Sequence, residues 1–519
     1  MAFQLSPGVL VTEKDLTTVV PAVATTAGGF AGAFQWGPVG VVTTVDSENK
    51  LVERFGKPND TTYASFFTAA NFLAYGNNLQ VIRVVNEGTA KNAKANSAAT
   101  AVLVKNEDHY DATYADGSAT VGEWAAKYPG ALGNSLKVSM ADGNTFSGWA
   151  YTSSFDSAPG TSDYASSAGA RYDELHVIVI DEDGLWTGTQ GTVLEKFSFV
   201  SKASDAKKND GTSNYYKNVI NNTSKYIWWM DHPTAVTAGN SSIGSSITGD
   251  KYANLTANVT VSLTGGVSSD SPSDGNLTSA LATFANDELY DVALIPAGAA
   301  SATVANYIIQ NVAEVRKDCI AFISPELADV TNNAGDEATD VVAFRDSLTS
   351  SSYAVMDSGY KYQYDRYNDV YRYVPLNGDT AGLAVRTDFI ADPWFSPAGF
   401  NRGQIKNVVK LPFSPSKTDR DTLYKNGVNP VVSFPGQGTV LYGDKTLLSK
   451  PSAFDRINVR RLFIVLEKAI ATAAKFSLFE FNDAFTRAQF RNLVEPFLRD
   501  VQGRRGITDF KVVCDESNN

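Results

Sequence analysis

The C-terminal stretch, residues 429–519, constrains the fold more than any other part of the chain. It begins with two short glycine-punctuated strands and continues into a long helix whose apolar residues recur at three- and four-residue spacing. This apolar face consists of Val459, Leu462, Phe463, Leu466, Ile470 and Ala473. A second amphipathic segment, residues 490–501, follows. The chain ends in a predicted strand, residues 506–519, without a hairpin partner beside it, so its ladder must lie elsewhere in the fold or on another chain.

Alternation of apolar residues at both ends of the chain predicts extended arms. In the C-terminal strand the residues of one face are Thr508, Phe510, Val512 and Cys514. Residues 1–22 alternate more weakly through Val9 and Val11, and Pro7-Gly8 interrupts them, which favours an extended arm over a central strand. Two terminal strands without local partners are expected of a subunit that lends strands to its neighbours. A frayed tail and an ordinary edge strand are the alternative.

The rest of the sequence predicts a multidomain α/β and α+β chain, because 519 residues exceed what one compact core accommodates. Strand–helix–strand alternation in residues 23–90 and 266–400 predicts a central parallel sheet covered by helices and built from two separate parts of the chain. Residues 91–265 are rich in small and polar residues with short strand patterns, and they predict an inserted β-rich region. Residues 401–505 form a predicted C-terminal domain with long helices.

Several short sequence motifs of the chain resemble those of contractile phage tail sheath proteins. Residues 436–446, followed by the pentapeptide NVRRL at 458–462, are similar to the C-terminal signature of that family. The phrase WFSPAG at 394–399 matches the same pattern. Residues 126–136 and 194–229 resemble phage sheaths in particular, and the second of these phrases favours the large myovirus-type sheaths over the shorter sheaths of bacterial secretion systems.

The resemblance implies a structural, self-assembling subunit rather than an enzyme. Subunits of this family stack as hexameric rings around a tail tube, and contraction of the polymer drives the tube through the host envelope. The implied partners are further copies of the chain, the tail tube protein, and the baseplate and tail terminator proteins. The arms would exchange strands between subunits through Val9, Val11, Phe510, Val512 and Cys514.

The same resemblance implies where the protein acts. The β-rich insertion would lie on the outer surface of the sheath, and the subunit would be part of the virion after assembly in the host cytoplasm. The sheath of a headless contractile injection system, either a tailocin or a secretion-type device, is the alternative within this class.

The charge pattern distinguishes the C-terminal helices from the rest of the chain. The net charge of −12 argues against nucleic acid as a partner, because phosphate binding needs a basic face. Residues 456–511 nevertheless contain eleven Lys and Arg against six Asp and Glu. The resemblance implies that some basic residues of the long helix face an acidic tube. The candidates are Arg456, Arg460, Arg461, Lys468 and Lys475. Pairing of these residues with the acidic body of the subunit is the alternative.

The sequence offers little enzymatic chemistry. Its three histidines, His109, His176 and His232, lie outside any recognised nucleophile or metal motif, and no G-x-S-x-G or H-E-x-x-H sequence is present. A Ser-His-Asp triad assembled in space remains possible from sequence, so a cryptic hydrolase is the alternative of another class. No cofactor or metal is predicted. The two cysteines are far apart, there is no pattern of a secretory signal, and no apolar run is long enough to span a membrane, so we expect no membrane contact by this chain.

Overall fold

The computed structural model describes residues 24–98, 100–238 and 241–516. The predicted strand-exchange residues Val9 and Val11 lie outside the described residues. Helices and strands are labelled in chain order. The strands are β1 (Gly28–Gly32), β2 (Val42–Val45), β3 (Leu79–Arg83), β4 (Trp124–Ala126), β5 (Leu136–Asp142), β6 (Glu174–Asp181), β7 (Thr192–Ser201), β8 (Ile227–Trp229), β9 (Val259–Ser262), β10 (Leu294–Pro296), β11 (Ile320–Ile323), β12 (Ala354–Asp357), β13 (Tyr360–Asp365), β14 (Val370–Pro375), β15 (Val428–Asn429), β16 (Val431–Phe434) and β17 (Gly438–Leu441).

The helices lie between and beyond these strands. The α-helices are α1 (Glu48–Phe55), α2 (Tyr63–Leu73), α3 (Glu107–Thr113), α4 (Asp163–Ser167), α5 (Tyr216–Thr223), α6 (Asp274–Leu281), α7 (Ala302–Tyr307), α8 (Glu314–Arg316), α9 (Glu337–Asp346), α10 (Asn377–Ile390), α11 (Lys417–Lys425), α12 (Ile457–Ala474) and α13 (Ala484–Gly503). A π-helical segment, Ile308–Ala313, joins α7 to α8. Short 3-10 helices cover Ala131–Ser135, Phe146–Gly148, Thr152–Ser154, Ala282–Ala285, Leu327–Val330, Ala453–Asp455 and Lys475–Ser477.

A seven-stranded sheet in the order β15-β12-β11-β10-β1-β3-β2 forms the centre of the protein. Its strands are parallel except for β2, which runs antiparallel to β3 at one edge. β1 belongs to the first part of the core and pairs with β10 of the second part, Gly28 opposite Leu294. The predicted parallel sheet is therefore present and joins distant parts of the chain, including β15 from residues 401–505.

Helices cover both faces of this sheet. On one face α6, α7 and α9 contribute to a large apolar cluster that includes Phe344. On the other face α2, α10 and the first half of α12 bury Phe66 and Ile464 among other apolar residues. Gly28 permits the close packing of α2, because a Cβ atom at that position would lie 2.6 Å from the Cζ atom of Phe72. α10 is buried on all sides over its first turns, so it has no polar stripe.

Residues 91–265 contain a four-stranded antiparallel sheet in the order β7-β6-β5-β9 and a separate β4-β8 pair. Inward-facing residues of β5 and β6, including Val138 and Val177, pack with Trp124 in a core of their own. A buried ion pair lies within this region, where the Nζ atom of Lys202 is 2.8 Å from Asp142. This region is therefore held together by its own apolar core and not only by its contacts with the central sheet.

The C-terminal helices differ from the sequence-based expectation in two details. The sequence TRAQ at 486–489 has the pattern of a capping box and predicts that the second helix begins at Thr486, but Asp483 caps α13 by accepting a hydrogen bond from the Thr486 amide at 2.8 Å. Asp is the better cap because its carboxylate also interacts favourably with the positive end of the helix dipole. Pro496 within the apolar stripe predicts a kink or an interruption near Glu495, and the helix is not interrupted, since α13 continues through Pro496 to Gly503.

Candidate functional site: the C-terminal helical hairpin

Helices α12 and α13 form a hairpin that packs on the central domain. The apolar stripe of α12 predicted from sequence is buried against α13, with Leu462 and Leu466 contacting the cluster that contains Val494 and Leu498. Trp394 closes the base of the hairpin, because its Nε1 atom donates to the Arg504 carbonyl oxygen at 3.0 Å. α12 is thus buried on two sides, one facing α13 and one facing the sheet.

This double burial places two of the predicted tube-facing arginines inside the subunit. A guanidinium nitrogen of Arg461 lies 2.6 Å from the carboxylate of Asp388, and both side chains are buried. Arg460 is buried as well; it donates to the Tyr353 hydroxyl at 3.1 Å and stacks on the ring of Phe454, 3.9 Å from its centroid. The charged groups of both arginines contact groups of the same subunit, which favours the alternative of pairing within the subunit for these two candidates.

The other three basic residues occupy different environments. Arg456 is half-buried at the start of α12, 3.0 Å from Asp444. Lys468 is half-buried and forms ion pairs with Asp291 and Asp318. Lys475 is exposed at the end of α12, and no ion pair within the described part of the chain includes it. The five predicted residues therefore do not form one surface, and Lys475 is the most accessible of them.

The GDKT sequence at residues 443–446, which precedes α12, has a structural role in the described residues. The side chain of Asn429 accepts a hydrogen bond from the Lys445 amide at 2.7 Å and donates to the Lys445 carbonyl at 2.8 Å. The Asp444 carboxylate pairs with the Arg456 guanidinium. The Thr446 hydroxyl donates a hydrogen bond to the Phe454 carbonyl oxygen at 2.8 Å. These contacts fix the direction in which the chain enters α12.

The C-terminal segment after α13 is extended along the hairpin. Residues 507–514 are not assigned to a strand in the described part of the chain. Burial alternates over residues 510–514 nonetheless: Phe510, Val512 and Cys514 are half-buried, whereas Lys511 and Val513 are exposed. Thr508, predicted on the same face as Phe510, is exposed. Phe510 and Val512 pack against the apolar cluster between α12 and α13. Residues 510–514 therefore have the burial alternation of a strand.

None of the three histidines contributes to a hydrolytic site in the described residues. His176 is buried; its Nε2 atom is 3.0 Å from the Ser157 carbonyl oxygen, and its Nδ1 atom accepts from the Phe199 amide at 3.0 Å. His232 lies between tyrosine hydroxyls, 3.3 Å from that of Tyr215. Burial lowers the pKa of each of these histidines because the charged imidazolium loses hydration.

No helix among the described residues has the length and apolar content that crossing a bilayer requires. Across residues 24–98, 100–238 and 241–516, no group of three or more His, Cys, Asp or Glu side chains is arranged to hold a metal ion.

Comparison with known proteins gives the family. Residues 270–447 match the phage tail sheath protein central domain, residues 449–519 match the phage tail sheath C-terminal domain, and residues 26–84 match the domain III N-terminal region of the tail sheath protein Gp18. The tail sheath protein of Salmonella phage ViI is 33% identical to this chain over 100% of the chain and 91% of the relative. The chain belongs to the phage tail sheath protein family.

Other relatives and solved structures agree with this membership. The tail sheath proteins of Vibrio phage KVP40 and Enterobacteria phage T4 are 33% and 31% identical, each over 99% of this chain and 93% of the relative. A sheath tail protein from Desulfitobacterium hafniense has the same fold, with a TM-score of 0.56 at 13% identity over 97% of this chain and 91% of that one. Members of this family are structural proteins, so the sheath protein is not an enzyme and the hydrolase alternative is wrong.

The carboxyl edge of the sheet, where ligands bind in many open α/β folds, is filled by side chains in this sheath protein. The Nζ atom of Lys361 lies 2.9 Å from both carboxylate oxygens of Asp379, and both side chains are fully buried. Asp357 accepts from the Ser324 hydroxyl at 2.9 Å, and burial raises the pKa of Asp357 to about 8. The Asn377 side chain donates to Ser324 at 3.1 Å. Sequence reasoning missed this cluster, because its residues are scattered over β12, β13, α10 and the loop that follows β11.

Proposed function

We propose that this sheath protein is the repeating subunit of a contractile phage tail sheath, stacked as hexameric rings around a tail tube. The extended polymer shortens when the baseplate triggers it, and this movement drives the tube through the host envelope. The alternating burial of residues 510–514, which are not assigned to a strand in the described part of the chain, is the observation that carries the proposal. A strand of this kind is suited to completing a sheet in a neighbouring copy.

Strand exchange would join neighbouring subunits through both arms. Phe510, Val512 and Cys514 are the proposed inward-facing residues of the C-terminal arm, and Val9 and Val11 are those of the N-terminal arm. Main-chain hydrogen bonds provide much of the affinity in such contacts, so rings could tilt or rotate without losing their connection. The contraction would then be a change in the packing of rigid subunits.

The proposed tube contact involves the C-terminal end of α12. Lys475 is the basic residue that supports this part of the proposal, because it is exposed at the end of α12. The tube, the baseplate and the tail terminator are the proposed protein partners, and no contact of this chain with nucleic acid or membrane is proposed. The filled carboxyl edge of the sheet supports a movement that needs no small ligand bound there.

The proposed location is the virion, with the β-rich region on the outer surface of the sheath and assembly in the host cytoplasm. A headless injection device would place the same subunit around a tube without a capsid. The relatives that are 31–33% identical are phage proteins, which favours the phage tail.

Negative-stain electron microscopy of the purified full-length protein over a concentration series tests self-assembly. Striated tubes are the expected result, and particles that remain monomeric at every concentration and with added tail tube would contradict it. A variant lacking residues 506–519 should stay folded, with a circular dichroism spectrum close to that of the intact protein, and should form no tubes. Tubes of normal appearance from this variant would refute strand donation by the C-terminal arm.

A further inference from the structure

The turn between α12 and α13 exposes an unusual number of large apolar side chains. We name residues 476–485 the aromatic loop. Its exposed apolar residues are Phe476, Leu478, Phe479, Phe481 and Phe485. Phe481 is 85% exposed, and Phe479, fully exposed, has a φ angle of 69°. Bulky residues rarely adopt this left-handed conformation, and contiguous exposed apolar surface on a soluble protein marks an interaction site.

The aromatic loop also carries negative charge. Glu480 and Asp483 are both exposed. Asp483 caps α13, whereas Glu480 takes part in no ion pair in the described part of the chain. A partner for this loop must therefore offer apolar surface together with a positive charge.

A second surface of the same chain has these properties. The rings of Phe400, Phe434 and Tyr442 form a triad with centroids 5.2–6.0 Å apart, and Phe400 and Tyr442 are more than 40% exposed. The guanidinium of Arg420 lies 5.8 Å from the Phe434 ring centroid. Arg420 has no carboxylate partner in residues 24–98, 100–238 and 241–516. We name these four residues the aromatic–basic patch.

The loop and the patch lie at opposite ends of the hairpin. Tyr442 is two residues before Asp444, which pairs with Arg456 at the start of α12. The aromatic loop follows the other end of α12, and an 18-residue helix spans about 27 Å. The two surfaces are therefore too far apart to meet within one subunit, but each copy presents both.

We propose that the aromatic loop of one subunit docks on the aromatic–basic patch of a second copy, with Glu480 facing Arg420. Such a contact is heterologous, and heterologous contacts generate closed rings or helical filaments. The inference rests on the proposed function, since it assumes that the sheath protein polymerises. It adds a side-chain interface that is independent of the strand-exchanging arms.

Charge reversal with rescue tests the pairing. Glu480→Arg and Arg420→Glu should each raise the protein concentration at which tubes sediment by about tenfold or more, because like charges would face each other in the contact. The double variant Glu480→Arg/Arg420→Glu should return to near the wild-type concentration. Glu288→Arg, which reverses an exposed acidic residue outside the hairpin, is the matched control and should leave the concentration unchanged. Unaltered polymerisation of the single variants, or no recovery in the double variant, would overturn the pairing.

Disulfide trapping gives a second readout that does not depend on weakened assembly. Phe479→Cys and Tyr442→Cys are combined, and the polymer is oxidised with copper phenanthroline. The two single variants, which also retain Cys514, control for the reactivity of that thiol. A ladder of covalent multimers should form with both cysteines and not with either alone. Wild-type protein that forms no polymer would refute the proposed function, whereas polymer without the ladder refutes this inference alone. Variants of the aromatic loop could form normal empty sheath polymers but fail to retain tail tube. That result would show that the loop contacts the tail tube and not a second copy, and it would overturn the proposal.

Discussion

The guanidinium of Arg83 donates a hydrogen bond to the Pro129 carbonyl oxygen at 2.7 Å and thereby joins the central sheet to the β-rich region. The same side chain donates to the carbonyl oxygens of Phe34, Gln35 and Gly37, and it is buried. Arg83 forms no ion pair in the described residues, so four carbonyl groups stabilise its charge. Burial lowers the pKa of Arg83 to about 9, which leaves it charged at neutral pH.

Replacing Arg83 should loosen the junction between the two regions. Arg83→Met keeps much of the volume but leaves four carbonyl oxygens without their donor, and each buried unsatisfied group costs about 1–3 kcal/mol. We expect the free energy of unfolding to fall by at least about 3 kcal/mol in urea titrations. Arg366→Met is the matched control, because the exposed Arg366–Glu48 pair should contribute less than about 1 kcal/mol. Equal effects of the two substitutions would contradict the role of Arg83.

The Lys361–Asp379 pair permits a test of the filled carboxyl edge. Lys361→Met leaves a buried carboxylate without its counter-charge and should cost about 3–5 kcal/mol of unfolding free energy. The double variant Lys361→Met/Asp379→Asn removes both charges and should be more stable than the single variant. The measurement is urea unfolding followed by tryptophan fluorescence. A double variant less stable than Lys361→Met would show that the charges are not the reason for the loss.

His176 should make the β-rich region sensitive to acid. Its pKa is lowered in the folded protein from an ordinary value of about 6.5, so the unfolded state binds the proton more readily. The contribution of neutral His176 to the free energy of unfolding is therefore fully present above pH 6.5. It is lost as the pH falls below 6.5, by up to about 1.4 kcal/mol per pH unit. Protonation would also remove the acceptor of the Phe199 amide.

The measurement is the unfolding free energy of wild type and His176→Gln at pH 7.5 and pH 5. Other groups titrate over this range in both proteins, so the difference between the two proteins isolates His176. The variant should be less stable at pH 7.5 and should lose less stability on acidification. His109→Gln, at a partly exposed histidine of α3, serves as the comparison. Equal acid sensitivity of wild type and His176→Gln would contradict the expectation.

Lys475 gives a test of the tube contact. Lys475→Glu should reduce retention of tail tube by preformed sheath several-fold, with a larger effect at low salt because exposed charges are screened by ions. Co-sedimentation of tail tube with sheath over a salt series measures this retention and its dependence on salt. Lys208→Glu reverses an exposed lysine of the β-rich region and should have no effect. A loss that is independent of salt would point to a steric cause.

The central sheet could be predicted because its strands are short apolar runs between helical segments. Residues 79–85 and 319–323 are apolar runs of this kind, which predict buried strands, and β3 and β11 lie there. α10 was missed because it is buried on all sides, and a helix without a polar face has no amphipathic period. Burial of Arg460 and Arg461 was missed for a related reason: the apolar stripe of α12 indicates one buried face, but the helix has two.

The pairing of β1 with β10 and the packing of α2 on α10 have a consequence for synthesis of the chain. Residues 26–84 cannot complete their part of the core until the ribosome has added about 300 further residues, which takes roughly 15–60 s at typical bacterial rates. During that interval the apolar faces of β1, β3 and α2 lack the elements that cover them in the finished subunit. The β-rich region can form its own core meanwhile, so the nascent chain would pass through a stage with a folded middle and an incomplete beginning.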